Sequence, residues 1–307
     1  MELDGQYRAL RESAGSVERS QRGKLIVSGA DAAEFLQGQV TNDVEALAPG
    51  EGCYAALLDR KGHIQADMRV LRLAPESFWL DTEAIATEPL RKHLEMYKVG
   101  RDVEVGDVSG EHAILSLIGP AARELAGTGP LSPEYAHREH HGGRAVATDL
   151  GVDLIVASTD AERLHDELRA AGVADVSEQA AEIVRIETGR PRYGAEMSAA
   201  SMPAEAGIDS RAVDFTKGCY IGQEPVARLH YKGRPNRHLR GLRLSAAVQG
   251  GDVIRLGERE LGRISTSCLS PSLGPIALAI VRREAGPGDV VEVGEAGTTA
   301  EVVELPF

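Results

Sequence analysis

Lys217-Gly218-Cys219-Tyr220-Ile221-Gly222-Gln223-Glu224 is the most informative stretch of this 307-residue chain. It places a cysteine between two glycines, two residues after a lysine. Gly218 and Gly222 permit close backbone approach and dihedrals that other residues avoid. Pro225 follows, where the first turn of a helix tolerates it. A helix running on through Val226, Arg228 and Leu229 aims its first amides back toward Cys219, and those amides and the Lys217 ammonium together stabilise a thiolate. Glu224 and Arg228, four apart, share a helix face. Cys219 and Lys217 are therefore the candidate catalytic pair. The plainer alternative is that Cys219 is a small buried hydrophobe, as most free cysteines are.

Upstream of this stretch, two rounds of strands and helices can be read. Lys24–Val27 is a strand, Asp31 a plausible N-cap, and a helix runs through Phe35 and Leu36. Residues 53–58 and 66–73 pair as strands around the turn 59–63, and residues 78–80 form another strand. Residues 88–97 have helical spacing, with Leu90, Leu94 and Tyr97 on the buried face. A strand at 103–105 closes the round. The second round has a strand at 113–118, a short helix through Leu125, a strand at 152–157 and helices at 160–171 and 179–188. Residues 127–143, rich in Gly, Pro and His, read as a solvated loop, and His137, His140 and His141 lack the further ligand a metal site needs. No metal is expected. The β-α-β-β-α-β order, loosely repeated, predicts two ferredoxin-like α+β units, residues 1–110 and 111–235, which may interleave. Beyond a linker at 232–236, short β-rich pieces between glycines predict a separate β-barrel over 241–307.

The totals bound the function. The formal net charge is −13. Such a surface repels phosphate backbones, so no nucleic-acid partner is expected. Against it stands one basic stretch, Arg228 through His230, Lys232, Arg234, Arg237 and His238 to Arg240, which suits a small anion if it is not simply a solvated loop. No apolar run reaches transmembrane length, and the first residues, MELDGQYRAL, have neither a signal-peptide core nor a presequence pattern. Cys53, Cys219 and Cys268 are odd in number and far apart, which fits a reducing cytoplasm, and a monomer without membrane attachment is expected.

The Lys217–Glu224 stretch resembles the K-G-C-[FY]-x-G-Q-E signature of the YgfZ family, relatives of the glycine-cleavage T-protein. Phe35–Val44 is similar to that family's F-L-Q-G-Q-x-T-x-D-x. Arg185–Gly194 and Pro203–Gly207 resemble the R-x-E-x-G-x-P-x-[FY]-G and P-x-E-A-G shared with T-proteins, and Ser270–Ala279 resembles a barrel-domain S-P-x-L-G-x-x-I-A-L-A. The resemblance covers residues 24–305. It implies a ring-like T-protein fold, a pocket for tetrahydrofolate or a one-carbon derivative, and a role in synthesis or repair of iron–sulfur clusters, with iron–sulfur enzymes or assembly proteins as partners. It also implies ligand contacts. Glu187 matches the T-protein glutamate on the pterin, where a carboxylate accepts two N–H bonds. Asp67 falls where T-proteins carry a paired aspartate, with Ala66 in place of its neighbour. Arg228, Arg237 and Arg240 fall near the arginines that meet the folate's glutamate tail, which a bidentate guanidinium suits. Two rival functions stand beside this reading: ordinary aminomethyl transfer, against which the cysteine signature and Ala66 in place of an aspartate argue, and a binding scaffold in which Cys219 is structural.

Overall fold

The computed structural model describes residues 1–295 and 297–307. The elements run α1 (Leu3–Glu12), β1 (Gly15–Glu18), β2 (Gly23–Ser28), α2 (Ala32–Gln39), β3 (Gly52–Leu58), β4 (Ile64–Ala74), β5 (Ser77–Thr82), α3 (Ala84–Tyr97) and β6 (Glu104–Asp107). A second round follows with β7 (His112–Ile118), α4 (Ala122–Leu125), β8 (His137–His140), β9 (Gly143–Ala147), β10 (Gly151–Ala157), α5 (Ala161–Ala170), β11 (Ala174–Asp175) and α6 (Glu178–Glu187). Then come α7 (Asp209–Ala212), α8 (Gln223–Lys232) and six strands: β12 (Arg237–Leu244), β13 (Val253–Leu256), β14 (Arg259–Ser270), β15 (Gly274–Arg282), β16 (Val290–Val293) and β17 (Thr298–Val303). The chain gathers into two compact units. The first holds Met1–Leu58, Gln65–Ala181 and Arg211–Ile221, the second Asp59–Ile64, Glu182–Ser210 and Gly222–Phe307.

In the first unit the two rounds have the same strand plan. One sheet is ordered β3-β4-β5-β2-β6, the other β11-β1-β7-β10-β9-β8. Each round is thus β-α-β-β-β-α-β, one strand longer than a ferredoxin-like unit. The rounds differ at one place. In the first, β6 pairs directly with β2. In the second, the N-terminal strand β1 pairs antiparallel to β7 and parallel to the two-residue β11, and so lies between them. Residues of β7 alternate between two cores, as the period of a strand requires. Ala113, Leu115 and Leu117 join a core that includes Leu164 and Leu168 of α5, while Ile114 packs with Leu71, Trp79, Val146 and Ile155 of both sheets. A buried charge layer also joins the sheets: Arg69 on β4 donates to Asp81 on β5 and to Asp153 on β10, both at 2.7 Å, and Asp81 also accepts from Arg22 and Trp79.

Two expectations are corrected here. Within the expected loop 127–143, residues 137–140 form β8, and His137 is buried at 4% exposure. Arg144 donates to its Nδ1 at 2.7 Å and its Nε2 lies 3.1 Å from the Glu51 carbonyl. This makes it a neutral imidazole, with its pKa lowered to about 4 by burial and by Arg144. A four-residue strand flanked by Gly and Pro is too short to leave a periodicity in sequence. Tyr97, expected on the buried face of α3, is the last residue of that helix, 39% exposed and stacked on His93.

In the second unit the six strands β12-β15-β14-β13-β16-β17 close into a barrel around Leu242, Ile254, Ile264, Ala277, Val291 and Val302. Closure removes the exposed edges that short strands would otherwise present. No helix among the described residues is long and apolar enough to cross a membrane.

Candidate functional site

In the first unit the loop carrying Cys219 is stitched to the end of α2. The Lys217 ammonium donates to the carbonyls of Gln37, Val40 and Asn42 at 2.8, 2.7 and 2.7 Å. Thr41 donates its hydroxyl to Ala212 O and its carbonyl accepts from Asp214 N. Asn42 bonds Arg211 O and Tyr54 O, and Ile221 N bonds Gly38 O. An ammonium has three protons, and all of those on Lys217 go to backbone. Burial pushes its pKa down to about 8, while Asp43, Cys53, Asp214 and Glu45 act in the opposite direction. Lys217 is therefore a clamp on two sequence-distant segments, a task its place beside Cys219 did not suggest.

Cys219 itself is exposed on that clamped loop. Gly218 has a negative φ, and a Cβ built on it meets nothing within 4 Å, so neither backbone nor packing requires a glycine there. The other two thiols are closed off: Cys53 and Cys268 are half-buried, and burial pushes each up to about 12.

Asp67 lies on β4 in the same unit. Its Oδ2 accepts the Tyr54 hydroxyl at 2.7 Å, and Oδ1 is buried with no hydrogen-bond partner among the described residues. Burial raises its pKa, against the Tyr54 hydroxyl and the Arg22 charge. Adjacent strand residues point to opposite faces, and Ala66 is 0% exposed, within the core. Position 66 and Asp67 thus lie on opposite faces of β4. Tyr54, with the Arg211 guanidinium 5.4 Å above its ring, completes this cluster.

In the second unit Glu187 ends α6 at 6% exposure. Its Oε1 accepts the Ser270 hydroxyl at 2.5 Å and the Ser272 hydroxyl at 3.3 Å. The helix end is anchored one turn earlier. Arg185 donates to Glu182 and to Glu196, both at 2.9 Å, and Thr266 of β14 donates to Glu196. The three arginines differ. Arg237 holds Glu205 through Nε and Nη2 at 3.0 and 2.8 Å, and Ala200 O as well. That bidentate pair leaves Arg237 least able to serve a ligand. Arg240 is half-buried on β12 and Arg228 is exposed on α8.

The chain matches two family models, the GCVT N-terminal domain over residues 3–129 and the glycine cleavage T-protein C-terminal barrel domain over 237–307. Similar proteins include the aminomethyltransferase of Corynebacterium aurimucosum, 30% identical over 98% of this chain and 89% of its own length. That of Thermotoga neapolitana is 30% identical over 97% and 87%. The chain belongs to the aminomethyltransferase family. A crystal structure of glycine cleavage system aminomethyltransferase T from Bartonella henselae shares the fold, with a TM-score of 0.90 at 23% identity over 99% of this chain and 89% of that one.

Within this T-protein family the motifs quoted above mark two clusters. Tyr54, Asp67 and the Lys217 clamp lie in the first unit, and Glu187, Ser270 and the Arg185 belt in the second. Ser270 and Ser272 were visible only as part of a barrel motif. Tyr54 and Arg211 carried no signal beyond their residue type, because each acquires its role from partners elsewhere in the chain. Glu205 stood in a quoted motif, and its pairing with Arg237 gives that motif a structural reason.

Proposed function

We propose that this protein binds a reduced folate and transfers an aminomethyl carbon to it. The observation that carries this reading is Asp67, a shielded carboxyl with one oxygen on Tyr54 and the other without a partner among the described residues. A carboxyl whose pKa is raised by burial is suited to protonating an amine leaving group or taking a proton from a ring nitrogen. Glu187 supplies an acceptor for the N–H edge of a pterin, and Arg228 and Arg240 are cations available to the glutamate tail. Tetrahydrofolate supplies the nitrogen that accepts the carbon. The names of relatives matched over nearly the full chain support the same activity.

The test has two parts. Calorimetry with 5-formyltetrahydrofolate should show one site per chain, and Glu187→Ala should weaken it by about 1–3 kcal/mol, the cost of an unpaired buried polar edge. Aminomethylated carrier protein with tetrahydrofolate should release ammonia and form methylene-tetrahydrofolate, and Asp67→Asn should lower kcat about 100-fold or more. Absence of folate binding overturns the reading as a whole.

A second reading rests on Cys219, exposed in a K-G-C-Y-I-G-Q-E stretch. In it the folate-bound protein uses the thiol in synthesis or repair of iron–sulfur clusters in client enzymes. Folate binding without ammonia release, together with loss of iron–sulfur enzyme activity in cells carrying only Cys219→Ser, would select this second reading.

A further inference from the structure

Ser270 ends β14 at 2% exposure, and its hydroxyl oxygen accepts two backbone bonds, from Ser272 N at 3.1 Å and Leu273 N at 3.0 Å. A serine hydroxyl has two lone pairs and one proton. With two backbone donors on the oxygen from the turn that follows, the proton has two acceptors in reach, the Glu187 carboxylate and the Ser272 hydroxyl at 3.2 Å, of which the carboxylate is the nearer. The proton faces Glu187 Oε1 at 2.5 Å, a short O–H···O contact. The serine-capped turn of residues 270–273 is thus an oriented donor, built by the barrel and aimed at the end of α6. Ser272 reinforces it on the same oxygen at 3.3 Å.

We propose that Ser270 is a positioning residue for ligand recognition by Glu187. By donating to Oε1 it holds the carboxylate in one rotamer, and so sets the selectivity of that carboxylate for a heterocycle presenting N–H donors. This rests on the folate reading of Glu187 given above. Removing the Ser270 hydroxyl takes the shorter of its two serine donors from Oε1 and leaves the longer Ser272 contact to orient the carboxylate. The consequence is specific. Affinity should fall more for a ligand with a 2-amino group than for one without it, because the former sets two N–H donors on the carboxylate and the latter one.

The experiment compares 5-formyltetrahydrofolate with its analogue bearing a 2-methyl group in place of the 2-amino group, by calorimetry on the full chain. The wild-type protein should favour the amino compound at least 50-fold. Ser270→Ala and the near-isosteric Ser270→Cys should reduce that ratio below 10-fold, and Ser270→Thr, which keeps the hydroxyl, should restore most of it. The cysteine variant keeps the volume of the site and serves if the alanine variant is too unstable to purify. An unchanged ratio in a folded Ser270→Cys or Ser270→Ala protein overturns the role of Ser270 and leaves the folate reading standing. Equal loss of affinity for both ligands also overturns it, since a merely structural role predicts that. A wild-type protein that binds neither compound overturns both proposals together.

Discussion

The loop Arg211–Ile221 of the first unit and the segment Thr266–Leu273 of the second each contain a buried polar side chain that makes three or more hydrogen bonds. In the first, Lys217 donates three bonds to the carbonyls of a segment some 180 residues earlier in the chain. In the second, Ser270 accepts from its own turn and passes one bond outward to a carboxylate. The donor capacity of Lys217 ends in backbone, while that of Ser270 ends on a group able to recognise a ligand. Each segment also carries a cysteine, with opposite outcomes: Cys219 is exposed, and Cys268 is half-buried beside Glu187. A buried charge whose bonds all end in the main chain is architecture, and the chemistry belongs to what it leaves in the open.

The cysteines give the largest contrast. With Cys268 and Cys53 pushed up to about 12, their thiolate fractions at pH 8 are on the order of one in ten thousand. Cys219 in the folded protein should alkylate with iodoacetamide on the order of 100-fold faster than either, as ranked by mass spectrometry of briefly labelled protein. Comparable labelling of all three would break the comparison.

Lys217 comes next. Lys217→Met keeps the stem and strips three carbonyls of their donor, so it should cost about 3 kcal/mol in denaturant unfolding, with hydrogen-exchange protection lost at residues 37–42 and 211–221. A stable variant with an unchanged loop would mean that the ammonium is not the clamp.

Asp67 is smaller and of the opposite sign. An acid with a raised folded-state pKa binds more protons folded than unfolded, so its contribution to stability falls as pH rises from its ordinary range through the raised value. Asp67→Asn keeps an acceptor for Tyr54 and removes that penalty. It should raise Tm by about 2–4 °C at pH 7 and not at pH 3, while lowering turnover. A stabilising loss of function of this kind marks a carboxyl kept for chemistry.

The smallest effect concerns Gly218. Open space around its Cβ position predicts that Gly218→Ala changes stability by less than about 0.5 kcal/mol. If the same change slows reaction of Cys219 with a bulky thiol reagent, the glycine serves approach from outside the chain. If it unfolds the loop, the packing described for that loop is incomplete.

Several parts of this protein follow from sequence by itself. Strand pairing at 53–58 and 66–73, the helix of α3 and the β-rich barrel beyond residue 241 were all legible, because each is encoded by local periodicity or by a contiguous stretch. The short strands β1, β8 and β11 were not, since each depends on a neighbour for its ladder and carries no apolar alternation of its own. The tertiary structure also assigned the tasks. It turned Lys217 from a thiolate's neighbour into a clamp, tied Arg237 to Glu205, put position 66 on the core side of β4 and Asp67 on the other, and aimed Ser270 at Glu187. Each of these is a hydrogen bond, or a choice of face, between residues tens to nearly two hundred positions apart. Burial then determines what such a group can do: a lysine, a serine or a cysteine has the same chemistry in any sequence, and its partners and its access to water are properties of the folded chain.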